Sequence, residues 1–315
     1  MRLHTAVSQY IAYRKSLGEC FLTNETILKR FVRETDAKTN LSDVSPEFVN
    51  NFLSGTGPIT SNWHGKYQAL SGFYRYALSR GYVKDSPLPT AIPKRPQSFV
   101  PYIYDVKELQ ALLDASLIYP KNRSQIRPKT IRSLLLLLYG AGLRIREALL
   151  LTLADVNFPQ KLLTIRQTKF RKSRLVPISD ELVQGLAKYH RYRQQQKFSQ
   201  NPEDPFFINR KGGGLNQNAI ENIFRRIREK AGIRRNDGAR YQPRLHDLRH
   251  SFAVHRLTKW YQEGEDVQKL LPVLSVYLGH TYLAATSTYL TMTPTLLEQA
   301  GRRFERYALP EVCHD

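Results

Sequence analysis

Apolar side chains recur at intervals of three and four residues along most of the chain, the spacing that places them on one face of an α-helix. Before residue 90 this spacing predicts four helices, over residues 6–18, 23–36, 45–55 and 61–82. Residue types that favour helix ends border these segments: Thr23 or Asn24, Ser45 with Pro46 behind it and Ser61 at the starts, and Gly18 and Gly81 at the ends. The pattern therefore predicts a small all-helical domain.

The same spacing continues after residue 101, with one interruption. It predicts helices over residues 105–116, within 128–156 with a break at Gly140 and Gly142, and over 179–196, 216–232, 243–262, 266–280, 283–290 and 293–308. Between them, residues 161–167 and 174–179 alternate as short strands do, and the basic segment 168–173 joins them as a hairpin. The predicted fold class is mainly α with a small antiparallel sheet (α+β).

A cluster of prolines marks a boundary between two domains. Five of them fall within 15 positions, at Pro87, Pro89, Pro93, Pro96 and Pro101. Proline lacks the amide proton that a helix interior needs and favours extended spacers. We therefore expect a helical domain over residues 1–90, a linker over 91–101 and a second domain over 102–315.

The charge balance indicates a polyanionic partner. The chain has 48 Lys and Arg against 27 Asp and Glu, a formal net charge of +21, which favours nucleic acid. A membrane surface is less favoured, because no lipid-facing stripe or anchor lies beside the basic residues. The most apolar run, residues 133–143, is too short to span a bilayer. Cys20 and Cys313 offer no disulfide framework, and the first residues lack the apolar core of a signal peptide. We expect a cytoplasmic protein with no membrane partner.

The last helix of the first domain mixes basic and aromatic residues. Lys66 and Arg75 alternate with aromatic side chains, so both are candidates for DNA binding. Aromatic residues at helical spacing are, however, more often part of a core.

Arg144 follows a glycine-containing break and begins a helix, where its side chain and the free amides of the first turn can face one anion. Glu147, three residues later, lies on the same helical face and could hold the guanidinium. An ordinary surface ion pair would have the same pattern.

The hairpin segment carries four cations, Lys169, Arg171, Lys172 and Arg174, all candidates for DNA binding or for proton donation. Their charges do not show whether Lys169 or Lys172 is the proton donor. Basic residues that are simply solvated in a turn would have the same sequence pattern.

The segment 246–257, HDLRHSFAVHRL, places His246 and Arg249 on one side of a helix, where an anion could lie between them. A metal site is disfavoured, because the segment lacks the glutamate of a zincin and a third ligand. We expect His250 and His255 to pack or hydrogen-bond within the helix. Further along, His280 follows a glycine, and Tyr289 lies nine residues later; a phenol among cations becomes a nucleophile, although a lone buried tyrosine is usually structural.

Taken in order, the motifs GLRIRE, TKFRKSRLVPI, HDLRH, LGH and TSTYL resemble those of the tyrosine recombinases, the family of phage integrases and Xer-type resolvases. The resemblance covers nearly the whole chain. It implies a catalytic set that consists of Arg144, Lys169, His246, Arg249, His280 and the nucleophile Tyr289, with Glu147 in a supporting position. Two departures stand out: Arg146 occupies a position where a small residue is common, and TYLAAT replaces the usual polar turn after His280.

The resemblance also implies a function. Members cleave and rejoin DNA through a 3′-phosphotyrosine bond, without metal, cofactor or ATP. They bind double-stranded DNA at specific sites and act as tetramers; the predicted helix over 293–308 could dock on a neighbouring subunit or pack on its own domain. We expect integration, excision or transposition of a mobile element rather than Xer-like dimer resolution. The remaining alternatives are type IB topoisomerase activity and a catalytically silent DNA-binding protein. A silent protein is expected to have lost Tyr289, Arg144 or Arg249, and all three are present.

Overall fold

The computed structural model describes residues 1–36, 38–55, 59–95, 100–118, 124–166, 173–239, 241–291, 298 and 301. The chain forms two compact units, Met1–Phe99 and Val100–Asp315. The predicted fold class is confirmed, because the described residues are mainly helical and contain one small antiparallel sheet.

The first unit contains four α-helices and a short 3-10 turn among its described residues. Their bounds are α1 Leu3–Ser16, α2 Leu22–Arg33, the 3-10 turn Leu41–Asp43, α3 Pro46–Ser54 and α4 Ser61–Ser79. The core contains the fully buried side chains Leu28, Phe31, Leu70 and Phe73. Each lies on the apolar face that the spacing predicted.

The helix ends of the first unit follow the sequence only in part. Ser45 caps α3 as predicted, since its hydroxyl accepts the amide of Phe48 at 3.1 Å. The prediction for α2 was wrong by one or two residues, because the helix begins at Leu22 with Phe21 in the flanking position. Helix α4 begins at Ser61, but the capping hydroxyl is that of Thr60.

The second unit holds the sheet and the longer series of helices. Its elements are α5 Val106–Ile118, α6 Pro128–Gly140, α7 Ile145–Leu149, β1 Val156–Asn157, β2 Leu162–Ile165, β3 Arg174–Pro177, α8 Asp180–Gln194, α9 Gln217–Lys230, α10 Asp247–Gln262, α11 Val267–Leu278, α12 Ala284–Ser287 and a 3-10 turn Thr288–Thr291. The sheet order is β1-β2-β3, antiparallel throughout, with Leu163 opposite Val176. The sequence missed β1, because two residues are too few to show an alternating pattern.

Helix α6 lies at the centre of the second unit, packed against α5, α8 and α10. Its buried leucines, Leu134 and Leu137 among them, explain why residues 133–143 are so apolar. A smaller cluster joins α10 and α11 and includes Phe252, Leu278 and Tyr289. The apolar run is therefore core.

The break between α6 and α7 depends on Gly142, whose φ is +58°. A Cβ atom there would lie 2.4 Å from the ring of Phe252, so both the backbone conformation and the space require glycine. The turn directs the Gly142 carbonyl toward α10.

Most of the predicted helix over 293–308 lies outside the described residues. Within the described part of the chain, none of the helices has both the length and the apolar character needed to cross a membrane.

Candidate active site

Glu147 caps the start of α7 by accepting two hydrogen bonds from Arg144. The Arg144 amide donates to Glu147 Oε2 at 3.0 Å, and its Nη1 donates to Glu147 Oε1 at 2.8 Å. The guanidinium also donates to the carbonyls of Leu278 (3.4 Å) and Gly279 (2.8 Å), at the end of α11. Arg144 thus has a fixed position beside the end of α11, while its side chain stays 35% exposed.

Arg249, on the first turn of α10, is the most deeply buried cation of the site, at 2% exposure. Its Nη1 donates to the Gly142 carbonyl and its Nη2 to the Leu278 carbonyl, both at 2.7 Å. These contacts account for two of the five N–H donors of a guanidinium. Burial and the nearby charge of Arg144 lower the pKa of Arg249 to about 10, so it stays protonated at neutral pH. The two arginines therefore meet at one carbonyl, that of Leu278.

Arg174, at the start of β3, makes a bidentate ion pair with Glu147. Its Nη1 and Nη2 donate to Oε1 and Oε2 at 3.0 and 2.8 Å. Its Nε donates to the Tyr277 carbonyl at 2.9 Å. Our sequence prediction placed Arg174 among the DNA-binding cations of the hairpin, but its side chain is 11% exposed and bonded within the site.

Glu147 is buried between the two guanidinium groups. Burial alone would raise the pKa of its carboxyl, but the hydrogen bonds and charge of Arg174, with those of Arg144, lower it to about 2. Glu147 is therefore ionised at neutral pH.

A left-handed turn after α11 positions His280. Gly279 has φ +67° and ends the helix, and the His280 amide donates to the Ser275 carbonyl at 3.0 Å. The His280 Nδ1 lies 2.7 Å from the hydroxyl of the buried Thr286. This contact fixes the orientation of the ring.

Tyr289 is buried at 3% exposure in the 3-10 turn that follows α12. Its ring centroid lies 6.0 Å from that of His280 and 5.6 Å from that of His250. Burial raises the pKa of the phenol, and the positive charges of Arg249 and Arg144 oppose that rise. The structure therefore brings Tyr289 together with both arginines.

His246 flanks the start of α10 and has an exposed surface at the site. Desolvation of the ring, followed by the positive charges of Arg249, Arg244 and Arg144, lowers the pKa of its imidazole to about 4. The pKa of His280 is lowered to about 4 for the same kinds of reason. Both rings are neutral at pH 7, the state in which a histidine can accept a proton.

The first turn of α10 holds His246 in place. Asp247, fully buried, accepts the Arg244 amide at 2.8 Å and its guanidinium at 3.2 Å. The Ser251 hydroxyl links the Asp247 carbonyl to the amide of Tyr104. These bonds tie the turn to the segment before α5.

Two residues of the site, His250 and Thr286, were not predicted from the sequence, and Arg174 was predicted with a different role. We expected His250 to pack or bond within its own helix; its ring lies 4.9 Å from that of His246, one turn earlier, and it also packs against Tyr289. Its Nδ1 is buried and has no hydrogen-bond partner among the described residues. The helical spacing of 246, 249 and 250 was the available signal, since these positions share a face. His255, by contrast, bonds across to Tyr139 of α6 at 2.9 Å.

Lys169, Arg171 and Lys172 fall outside the described residues. Arg75 is exposed on α4, as a phosphate contact requires.

Lys66 is buried in the first unit, with its ammonium group bonded to the Phe52 carbonyl and placed over the Phe52 ring. The prediction that Lys66 binds DNA does not fit this position, because its ammonium group is buried and makes its hydrogen bond inside the domain.

The assembled site presents an excess of positive charge around one tyrosine. Where the structure describes the chain, no group of three or more His, Cys, Asp or Glu side chains is placed to hold a metal ion. Arginine pairs of this kind suit a bidentate oxyanion such as a phosphate. The arrangement can therefore bind a phosphate group close to the ring of Tyr289.

The comparisons with known proteins identify the family of this chain. The model of the phage integrase family matches residues 104–295 of the chain. The chain belongs to this family, the tyrosine recombinases, which are enzymes that exchange DNA strands by transesterification.

Two relatives illustrate the range of similarity. The chain is 35% identical over 304 residues to the proposed integrase/recombinase y4rB of Sinorhizobium fredii, with 96% of each protein covered. It is 26% identical over 260 residues to the tyrosine recombinase XerC of Thermodesulfovibrio yellowstonii, covering 80% of this chain and 79% of XerC.

Solved structures show the same fold. The Tn1549 transposon integrase in complex with transposon right end DNA matches with a TM-score of 0.70 and 15% identity, over 98% of this chain and 100% of that one. A lambda integrase dimer bound to a COC′ core site matches with a TM-score of 0.67 and 16% identity, over 93% of this chain and 78% of that one.

Proposed function

We propose that this protein is a site-specific tyrosine recombinase that cleaves and rejoins DNA through a covalent bond between Tyr289 and a 3′ phosphate. One observation supports it most: Arg144 and Arg249 both donate to the Leu278 carbonyl, and both charges act on the phenol of Tyr289. A nucleophile and two bidentate cations are thus close together. None of the three has decayed, which favours an active enzyme over a silent DNA-binding protein.

In the cleavage step the Tyr289 oxygen forms a bond to phosphorus, and the bond from phosphorus to the 5′ oxygen breaks. Negative charge grows on the nonbridging oxygens, where Arg144 and Arg249 stabilise it. A neutral His280 donates a hydrogen bond to the same phosphate. Because the fixed cations already stabilise this charge, the proposal needs no metal ion or other cofactor.

Two proton transfers complete the step. His246, neutral at pH 7 and exposed at the site, accepts the proton of the Tyr289 hydroxyl. A hairpin lysine, assigned to Lys169 by the family resemblance, gives a proton to the 5′ oxygen as it leaves. A 5′ hydroxyl from another strand can reverse both transfers and rejoin the DNA without ATP, because the phosphotyrosine keeps the energy of the broken bond.

For the biological role we propose integration, excision or transposition of a mobile element. The similarity to the proposed integrase/recombinase y4rB over nearly the full length of both chains supports this role. The XerC of Thermodesulfovibrio yellowstonii aligns with 80% of the chain at 26% identity, so dimer resolution is the second candidate. In either role we propose that the protein works in the cytoplasm, is a monomer when free and assembles as a tetramer on two DNA sites; a neighbour of the same fold is a lambda integrase tetramer bound to a Holliday junction.

The domain arrangement is part of the same proposal. Residues 1–90 would form a DNA-binding domain, residues 91–101 a linker, and residues 102–315 the catalytic domain with a C-terminal helix for oligomerisation. In the first, Arg75 would contact phosphates; in the last, so would Arg171 and Lys172.

The test begins by finding the DNA site. The Tyr289→Phe variant is used to select binding fragments from the genomic DNA that flanks its gene, and the selected site is then built as a nicked suicide duplex. The wild-type protein should form a denaturant-resistant adduct that keeps a 5′-end label and releases the strand that ends in a 5′ hydroxyl, in the presence of EDTA. Tyr289→Phe should bind the site and form no adduct.

Three results would contradict the proposal: an adduct with Tyr289→Phe, retention of the 3′-labelled strand, or a strict need for a divalent cation. Supercoiled plasmid without the site provides the comparison with a type IB topoisomerase. Robust relaxation of that plasmid by monomeric protein would favour the topoisomerase.

A further inference from the structure

We propose that Arg174 is a positioning residue of the catalytic site, which holds Glu147 and thereby keeps the positive charge of Arg144 available to the scissile phosphate. The proposal rests on the proposed function, because it concerns the same cleavage step. It assigns Arg174 a role other than the DNA contact that its place beside the basic hairpin suggests.

Arg174 and Glu147 are joined by a bidentate ion pair. Both terminal nitrogens of Arg174 donate to the two oxygens of Glu147, at 3.0 and 2.8 Å, which is the bidentate pairing that arginine makes and lysine does not. The third donor, Nε, is bonded to the Tyr277 carbonyl at 2.9 Å. Arg174 is therefore held on three sides by β3, α7 and α11.

The charge of Glu147 is balanced by two arginines. Glu147 also accepts a hydrogen bond from Arg144 at 2.8 Å. With Arg144 alone, Glu147 would form a neutral pair that presents little net charge to a phosphate. Arg174 supplies a second cation, so the group of three side chains carries one net positive charge.

The side chains of Arg144, Glu147 and Arg174 differ in their exposure to solvent. The Arg174 side chain is 11% exposed and that of Glu147 is 8% exposed, whereas Arg144 keeps 35% of its side chain accessible. A phosphate can therefore approach Arg144 while Arg174 supports it from behind. Substrate contact and support belong to different arginines.

Arg174 also packs against the turn that carries His280. A Cβ atom on Gly279 would lie 2.7 Å from Arg174 Nη1, so the guanidinium packs directly against the backbone of that turn. The Gly279 carbonyl, in turn, accepts Arg144 at 2.8 Å. Arg174 thus contacts both the acid and the turn that determine the position of Arg144.

The experiment compares Arg174→Met and Arg174→Lys with the wild-type protein on the nicked suicide duplex, at saturating DNA. We expect Arg174→Met to lower the single-turnover rate of adduct formation by about 100-fold, the scale of a misplaced reacting group. Arg174→Lys should recover only a small part of that loss. DNA affinity and its salt dependence should not change. The matched control is Arg166→Met, at the other end of the hairpin, whose arginine pairs with Asp155 outside this cluster; its rate should stay within about twofold of the wild type.

A double-mutant cycle with Glu147→Gln tests whether Arg174 acts through that acid. Removing one partner of a buried pair leaves the other charge uncompensated. In the Glu147→Gln background, Arg174→Met should therefore cost less than about fivefold. The urea midpoint of unfolding, measured for the same four proteins, should fall with Arg174→Met and recover in part in the double variant.

Three outcomes would overturn the assignment. One is a lower DNA affinity for Arg174→Met with a salt slope reduced by about 0.9, the signature of a lost phosphate contact, and an unchanged rate at saturation. The others are additive effects on the rate in the cycle, and an unfolding midpoint that does not respond to Arg174→Met. If the wild-type protein forms no adduct, the proposed function fails, and the unfolding cycle still decides whether Arg174 and Glu147 are coupled.

Discussion

The rings of His280 and Tyr289 are stacked, with 6.0 Å between their centroids and 25° between their planes. Nδ1 of His280 lies 2.7 Å from the Thr286 hydroxyl. If that hydroxyl donates, the proton of the neutral imidazole is on Nε2, the nitrogen that would face a phosphate. The side chain of Thr286 therefore fixes the position of the His280 ring through this contact.

We expect Thr286→Val, which preserves the shape of the side chain but removes its hydroxyl, to lower the rate of adduct formation by about 10- to 100-fold. DNA affinity should be unchanged, because Thr286 is fully buried. Single-turnover cleavage of the nicked duplex measures the rate. Ser287→Ala is the control, since the Ser287 hydroxyl bonds to the Leu283 carbonyl within its own turn. Equal rates in both variants would remove Thr286 from the site.

The turn at Gly279 gives a second prediction. Gly279→Ala places a side chain at φ +67°, a conformation that costs about 1–3 kcal/mol in a non-glycine residue, and drives its Cβ atom against Arg174. We expect lower stability in urea and a loss of cleavage well beyond the loss of stability. The matched control is Gly264→Ala, which has φ +77° but meets no described atom within 4 Å. Cleavage by Gly279→Ala at the rate of this control would show that the contact with Arg174 does not matter.

Much of this site could be predicted from residue order. Arg144 directly precedes α7, Arg249 lies in α10 and Tyr289 follows α12, close to where the helical spacing and glycine breaks placed them. These positions could be predicted because each residue lies near the end of a helix, and the sequence marks helix ends with glycines and capping residues.

What the sequence could not provide was the partner of each charge. For Arg174, which lies next to a basic hairpin, the sequence pattern is the same whether the side chain faces solvent or pairs with a buried carboxylate 27 positions earlier. The burial of Lys66 could not be predicted for the same reason, since helical spacing places it on a face without saying what covers that face. Only tertiary packing decides such cases.

The histidines of the site predict a pH-dependent stability. Burial and the neighbouring His246 lower the pKa of His250 to about 3, from the 6.5 that an unstructured histidine has. Between these values the unfolded chain binds a proton that the folded chain does not, so the free energy of unfolding falls as pH falls from about 6.5. One histidine contributes at most about 1.4 kcal/mol per pH unit, and partial exposure reduces that value.

We expect His250→Phe to lose less stability than the wild-type protein between pH 7 and pH 5. Phenylalanine keeps the ring packing against Tyr289 and does not titrate. The chain has two tryptophans, Trp63 in the first unit and Trp260 in the second. Urea unfolding followed by fluorescence in a Trp63→Phe background therefore reports on the second unit. The same loss with and without His250 would contradict the assignment of this pH dependence to His250.

The two basic candidates on α4 should behave differently toward DNA. Arg75 is exposed, so Arg75→Met should weaken binding to the selected site and reduce the slope of log affinity against log salt by about 0.9. Lys66 donates to the Phe52 carbonyl inside the first unit, and burial lowers the pKa of its ammonium group. Lys66→Met, which keeps the length of the side chain, should therefore leave both the affinity and the slope unchanged. Filter binding or fluorescence anisotropy from about 50 to 200 mM salt measures both variants. A reduced slope for Lys66→Met would mean that α4 presents this lysine to DNA in the complex, and that the buried position belongs to the free protein.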